Sequence, residues 1–218
     1  LQQVSEEFQH MVEEFFLVQS RYSAAIKEIQ TKLEILDDEF QMRHRRNPIH
    51  HMQSRLKTIQ SMLEKLKRKN YEVSINSAVK NLQDIAGIRV ICSYVQDVCA
   101  IASLLVSQDD VHLVRMADYI REPKPNGYRS LHLIVEIPVF LSEGRILVPV
   151  EVQIRTIAMD FWASLEHSLR YKAQEYIPQH ISDELQRVAT DIASLDQRMQ
   201  AIHDQVDELS DARSDNAT

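Results

Sequence analysis

The sequence predicts an α+β domain in which a sheet of four or five strands is wrapped by helices. Three observations carry this. The first forty-odd residues contain no Gly or Pro and place apolar side chains at helical spacing. From Gly87 to Ile154 the pattern changes to short β-branched runs, the longer ones alternating with a period of two. After Thr156 the helical spacing returns and persists almost to the end.

Taken in order, Phe8, Met11, Val12 and Phe15, then Tyr22, Ala25, Ile26, Ile29 and Leu33, form the apolar stripe of a long first helix. A second helix is expected from Asn47 and Pro48, a capping residue followed by a residue suited to the first helical position. It continues through Ile49, Met52, Leu56, Ile59, Leu63 and Leu66 to about Asn70. Strands follow at Ile88 to Cys92, Val111 to Val114, Leu131 to Val139 and Ile146 to Ile154, with a helix through Val98, Ile101, Ala102 and Leu105 between the first two. Thr156 opens a helix carrying Ile157, Phe161, Leu165 and Leu169. Beyond Pro178 a last helix repeats Leu185, Val188, Ile192, Leu195, Met199, Ile202, Val206 and Leu209 over about three and a half heptads, as a helix pairing lengthwise with another would. Residues 1–178 therefore read as one domain, with N-terminal helices over 1–45 and a core over 46–178. Residues 179–212 form a heptad helix suited to an oligomer contact, and 213–218 a frayed tail.

The 218 residues, 44% hydrophobic and 26% charged, suit an ordinary globular protein. With no apolar run of membrane-spanning length and no signal pattern, the expectation is a cytoplasmic protein without a membrane partner. Cys92 and Cys99 are the only cysteines, too few for a disulfide framework, and are expected as reduced core thiols. The net charge of −7 is unevenly spread. Residues 41–70 hold Arg43, Arg45, Arg46, Arg55, Lys57, Lys65, Lys67, Arg68 and Lys69 against the single acid Glu64, while the acids concentrate after residue 174.

On the expected second helix Lys57, Ser61, Lys65 and Arg68 fall within an arc of roughly 80° opposite the apolar stripe. Such a ladder of cations and a hydroxyl suits a polyphosphate, whose oxygens accept charge-assisted hydrogen bonds. Arg55 lies off the ladder. Asp84 stands just before the first strand, and in the last strand Glu151, Gln153 and Arg155 share a face opposite Val150, Val152 and Ile154. Two acids on neighbouring strands suit one Mg²⁺, which takes one or two carboxylates together with phosphate oxygens and water. The segment from Arg121 to His132 is stiffened by two prolines and a glycine and presents Lys124, Tyr128, Arg129 and His132 together, with Tyr128 able to stack on a base. His44, His50 and His51 lack a Cys or carboxylate at ligand spacing, which argues against zinc.

The stretches from Asn47 to Lys57, Asp84-Ile85-Ala86-Gly87-Ile88-Arg89, Gly127-Tyr128-Arg129-Ser130-Leu131-His132, Glu151-Val152-Gln153-Ile154-Arg155-Thr156 and Phe161 to His167 resemble the synthetase domain of the RelA/SpoT family, closest to the small subgroup called RelP. The resemblance spans about residues 15–175. It implies a mixed, largely antiparallel, nucleotidyltransferase-like fold and a Mg²⁺-dependent transfer of pyrophosphate from ATP to the 3′-hydroxyl of GDP or GTP. No hydrolase motif precedes these stretches, so synthesis without hydrolysis is expected.

By the same resemblance Arg55 and Arg89 would sandwich adenine, while Lys57, Ser61, Lys65 and Arg68 would bind the ATP phosphates. Asp84 and Glu151 would hold the metal, Glu151 also accepting the hydroxyl proton. Lys124, Tyr128, His132, Gln153, Asp160 and Ala163 would form the GDP/GTP side, with Tyr128 on guanine and Asp160 near its edge. A homotetramer through the terminal helices is implied, without a stable nucleic-acid partner. A related subgroup is activated by its product at basic residues of the first helices; here those positions read Gln30, Glu34 and Asp37, so weak or absent product activation is expected. Two other readings stay open: another nucleotidyltransferase of the same superfold, which needs a close acid pair that only Asp109-Asp110 approaches, and a non-catalytic RNA-binding protein using the basic segment.

Overall fold

The computed structural model describes residues 2–173 and 177–215, with side chains from residue 13 to residue 209 of that range. Five strands run in the order β1-β2-β5-β4-β3, where β1 is Ile49–Leu56, β2 Ala86–Cys92, β3 His112–Asp118, β4 Leu131–Leu141 and β5 Gly144–Thr156. Only the β2–β5 pair is parallel; the other three pairings are antiparallel. The sheet is thus mixed and mostly antiparallel, as expected.

Period-two alternation gives the sheet one apolar and one polar face. Val150, Val152 and Ile154 of β5, Ile88 and Val90 of β2, and Leu133 and Val135 of β4 are buried. They meet Tyr22, Ala25, Ile26, Ile29 and Leu33 of α1 (Gln2–His44) and Val98, Ile101 and Leu105 of α4 (Val95–Val106) in one core. At roughly 1.5–3 kcal/mol for each fully buried aliphatic side chain, this face dominates the stability of the fold. The opposite face carries Arg55, Arg89, Glu151 and Gln153.

The segment expected as one long helix from Asn47 is instead strand β1 followed by α2 (Ile59–Arg68). The cause is a β-bulge. The β1–β2 register shifts between Ile49 and His51, so Ile49 and Met52 both turn toward the core although three residues apart. The extra residue converts a period of two into the spacing of a helix. Asn47 does not cap this segment; its amide donates to Asp37 Oδ2 at 2.6 Å, while Asp37 Oδ1 accepts from the Ile49 backbone at 2.9 Å. The helix cap is Thr58, whose Oγ1 accepts from the Ser61 backbone at 3.2 Å.

After α3 (Ile75–Asn81), the chain follows the expected order to α5 (Ile157–Lys172), capped by Thr156 as predicted, and α6 (Gln179–Asp215). Trp162 and Ala163 of α5 pack on Ala189 of α6 with Tyr128, Leu185 and Ile192 alongside. Further along, α6 buries Asp196 and His203, whereas Leu195, Met199 and Ile202 of its heptad stripe are about half exposed. Helix α6 extends through Asp215, past the expected start of a frayed tail; residues 216–218 lie outside the described part. Cys92 is buried as expected, but Cys99 is exposed because it occupies the outer side of α4. Among the described residues no helix is long and apolar enough to cross a membrane.

Candidate functional site

The polar face of the sheet is organised in cross-strand rows. In one row Arg55 pairs with Gly87, Gly87 with Glu151, and Glu151 with Ile134. In the next, Gln53 pairs with Arg89, Arg89 with Gln153, and Gln153 with His132. With strands about 4.8 Å apart, residues distant in sequence become neighbours. Gln53, Arg55, Asp84, Gly87, Arg89, Glu151 and Gln153 line one pocket of about 210 Å³. Gly87 keeps the floor open: any side chain there would rise between Arg55 and Glu151.

Asp84 precedes β2 and sits under the cationic segment. Its Oδ2 accepts from Lys57 Nζ at 2.7 Å and Lys65 Nζ at 2.5 Å, while buried Oδ1 has no partner among the described residues. Burial alone would raise its pKa, but the two ammonium groups prevail and hold the carboxyl below its ordinary range. Lys57 lies between β1 and α2, so the ladder read as one helix face is a strand-end lysine joined by Ser61, Lys65 and Arg68 of α2. Ser61 Oγ accepts from Thr58 Oγ1 at 2.9 Å, and Arg68 is exposed. Arg55 is off the ladder because it belongs to β1.

Glu151 is reached from the other side by a relay. Tyr128 Oη lies 2.8 Å from His132 Nε2, and His132 Nδ1 lies 3.4 Å from Glu151 Oε1. Gln153 Nε2 donates to Glu151 Oε2 at 3.1 Å. Burial pushes Glu151 up, but His132 and Gln153 outweigh it and the carboxyl stays below its usual value, hence ionised. Asp84 and Glu151, one with an orphaned oxygen, make a two-carboxylate set that fits Mg²⁺ completed by phosphate oxygens and water. Among the described residues no three His, Cys, Asp or Glu side chains converge, so His44, His50 and His51 form no metal cluster.

The loop before β4 is closed by two backbone bonds between Lys124 and the Gly127–Tyr128 segment and by Asn126, whose amide donates to Glu166 of α5 at 3.0 Å. Lys124 Nζ stands 4.5 Å from the Tyr119 ring centre and 4.9 Å from that of Tyr128, a cation held between two rings. Gly127 adopts φ +90°, and its missing Cβ would lie 2.5 Å from Ala189 Cβ. Burial raises the Tyr128 phenol despite the nearby Arg155, so the ring is neutral.

Asp160 lies 3.7 Å from Arg89 and 3.4 Å from Arg155, a bridge between the two halves of the site. Ala163 is buried against Trp162 and Ala189, beside Tyr128. Sequence reasoning placed Arg155 on the site face without a role, and missed Gln53 and Tyr119. Gln53 was hidden by reading β1 as helix; Tyr119 was detectable as an aromatic flanking the loop.

A mixed sheet with paired acids on one face and a cationic helix beside them is a nucleotidyltransferase-like fold. The profile of the region found in RelA / SpoT proteins matches residues 54–176. GTP pyrophosphokinase YwaC of Bacillus subtilis is 44% identical over 186 residues, covering 85% of this chain and 89% of the relative. The chain belongs to the RelA/SpoT family. Small alarmone synthetase 1 of Bacillus subtilis bound to its product pppGpp superposes with a TM-score of 0.80 at 37% identity, covering 90% of this chain and 98% of that one. Small alarmone synthetase 2 of the same organism gives 0.77 at 42%, covering 84% and 96%.

Proposed function

We infer that the chain transfers the β,γ-pyrophosphoryl group of ATP to the 3′-hydroxyl of GDP or GTP and releases AMP. The observation that carries this is the convergence of Arg55, Arg89, Asp84, Glu151 and Gln153 on one pocket, with the Tyr128–His132 pair reaching Glu151 from its far side. Arg55 and Arg89 stand in adjacent rows, suited to hold adenine between guanidinium planes. Lys57, Ser61, Lys65 and Arg68 serve the phosphates.

Tyr128 stacks the acceptor base, with Lys124 and His132 toward the acceptor's phosphates and Gln153, Asp160 and Ala163 shaping that side. The acceptor's 3′-oxygen bonds to the β-phosphorus, the bond to the α,β-bridging oxygen breaks with its electron pair going to AMP, and the hydroxyl proton passes to ionised Glu151. Asp84 and Glu151 would hold Mg²⁺, which neutralises phosphate charge when bound. Catalysis is then mainly positioning and electrostatics.

The half-exposed stripe of α6 supports a homo-oligomer, with a tetramer as its expected size, and a cytoplasmic location accompanies the nucleotide substrates. Product activation through α1 is not expected, since Gln30 bonds Glu34 and Asp37 is engaged with the Asn47–Ile49 segment. The test is incubation with Mg²⁺, ATP labelled on its terminal phosphate, and GDP or GTP. Labelled ppGpp or pppGpp with equimolar AMP is the expected result; nucleotide binding without such a product refutes the reading.

A further inference from the structure

The inward side of α6 begins apolar, with Leu185, Ala189 and Ile192, and turns polar at Asp196, Gln200 and His203. Two of these polar residues meet α4. The Gln200 side chain accepts from the Gln96 backbone at 3.0 Å, and the His203 ring stacks on Tyr94 with centres 4.2 Å apart. Asp196 reaches elsewhere: Thr156 Oγ1, at the cap of α5, donates to its Oδ2 at 2.5 Å. Among the described residues no cation pairs with this buried acid. An acid buried without a cation is costly to the fold, and such departures from core chemistry concentrate where function needs them.

The Thr156 hydroxyl works twice. It is wholly buried, and besides donating to Asp196 its Oγ1 accepts from the Met159 backbone at 3.1 Å. A hydroxyl has one proton to give; with a carboxylate taking it, a lone pair is left aimed at the Met159 N–H. Asp196 thereby fixes the rotation of the cap and joins α6 to the first turn of α5 by a chain of two hydrogen bonds that polarise each other. It does so at the helix end where negative charge is favoured.

What hangs from this cap is the acceptor side of the cleft. Arg155 directly precedes Thr156, and Asp160 follows it by one helical turn. Arg155 Nε and Asp160 Oδ1 face each other at 3.4 Å, yet both are buried without a hydrogen bond among the described residues. The couple is not held by its own bonding, so the backbone at Thr156 decides where it stands. We propose that Asp196 is a positioning residue for the acceptor nucleotide: through the Thr156 hydroxyl it sets the first turn of α5, and with it Asp160 and Ala163. This rests on the acceptor assignment made under the proposed function. It makes α6, which lies outside the sheet and its polar face, part of what selects the acceptor.

The test is calorimetric binding, in Mg²⁺, of GDP and, separately, of an ATP analogue with a methylene at the α,β bridge. It compares the unaltered protein with Asp196→Ala, Asp196→Asn and Thr156→Val. Loss of the hydrogen bond in Asp196→Ala should weaken GDP by about tenfold or more and leave the ATP analogue unchanged. Asp196→Asn keeps an acceptor oxygen for the hydroxyl and should restore most of the GDP affinity. Thr156→Val, which nearly keeps the shape of the side chain, should match Asp196→Ala, and combining the two should cost little more than either alone. Thr156→Val also carries the test if Asp196→Ala does not fold. Unchanged GDP affinity, an equal loss for both nucleotides, or strict additivity in the double variant overturns the assignment; so does Asp196→Asn binding GDP as weakly as Asp196→Ala. Because binding is read without turnover, a protein that makes no alarmone yet loses GDP selectively in Asp196→Ala would refute the reaction and keep the role of Asp196.

Discussion

Replacing Gly127 by alanine tests whether the Lys124–Tyr128 loop and α6 are built as one piece. At φ +90° an L-residue is strained by about 1–2 kcal/mol. The new Cβ would lie 2.5 Å from Ala189 Cβ, against an ordinary carbon contact of about 3.5–4.0 Å. Overpacking of that kind costs about 1–3 kcal/mol, giving a total of about 2–5 kcal/mol. Ala189→Gly alone should cost about 1 kcal/mol in helix propensity. Combined with Gly127→Ala, however, it removes the overlap and leaves only the backbone strain, so the double-mutant cycle should show about 1–3 kcal/mol of favourable coupling. Urea denaturation followed by fluorescence reports it directly, because Trp162 is the only tryptophan and packs on Ala189. In kinetics Gly127→Ala should raise the acceptor's KM and leave that of ATP nearly unchanged, since Tyr128 is the next residue. A loss below about 1 kcal/mol, or strict additivity in the cycle, refutes the reasoning.

Glu151→Gln preserves shape and removes the proton acceptor, so turnover in the labelled-ATP assay should fall by roughly 10²–10⁴; near-normal turnover would remove Glu151 from the chemistry. Asp97 of α4 takes both Nη atoms of Arg46 at 3.0 and 2.8 Å and is almost wholly buried. Asp97→Asn should cost about 3–5 kcal/mol in denaturant unfolding, and a cost under about 1 kcal/mol would show the pair to be idle. Asp196 is raised by burial, only partly offset by the Thr156 hydroxyl bonded at 2.5 Å. A raised carboxyl penalises the charged form of the native state, so stability is lost as pH climbs from roughly 4, the unfolded value, through the folded one. Asp196→Asn should therefore raise Tm at pH 7 and change it little near pH 3; a shift independent of pH would contradict this.

Much of the site was legible because its chemistry lies in short runs: Asp84 to Arg89, Gly127 to His132 and Glu151 to Arg155 each place their side chains through strand alternation or a stiff turn. What the sequence hid depends on register. The bulge after Ile49 imitates helical spacing, so the strand bearing Gln53 and Arg55 was read as helix, and Lys57 was put on a face it does not share. Edge strand β3 is exposed along most of its length, where alternation carries no burial signal, and its register is shifted by another bulge between Leu113 and Arg115. Asp160 was expected at the guanine edge; its position between Arg89 and Arg155 appears only when α5 is laid against the sheet.

The parallel pairing of β2 with β5 also fixes the order in which the cleft can come into being. Strands β4 and β5 form a local hairpin turning at Ser142 and Glu143, so His132, Gln153 and Glu151 are aligned by a short closure. Gly87 meets Glu151 only after the whole intervening stretch has been drawn in, an entropically slower event than hairpin formation. The His132–Gln153 pairing is therefore expected to form before the Arg55–Gly87–Glu151 row, which is incomplete until β5 has docked between β2 and β4.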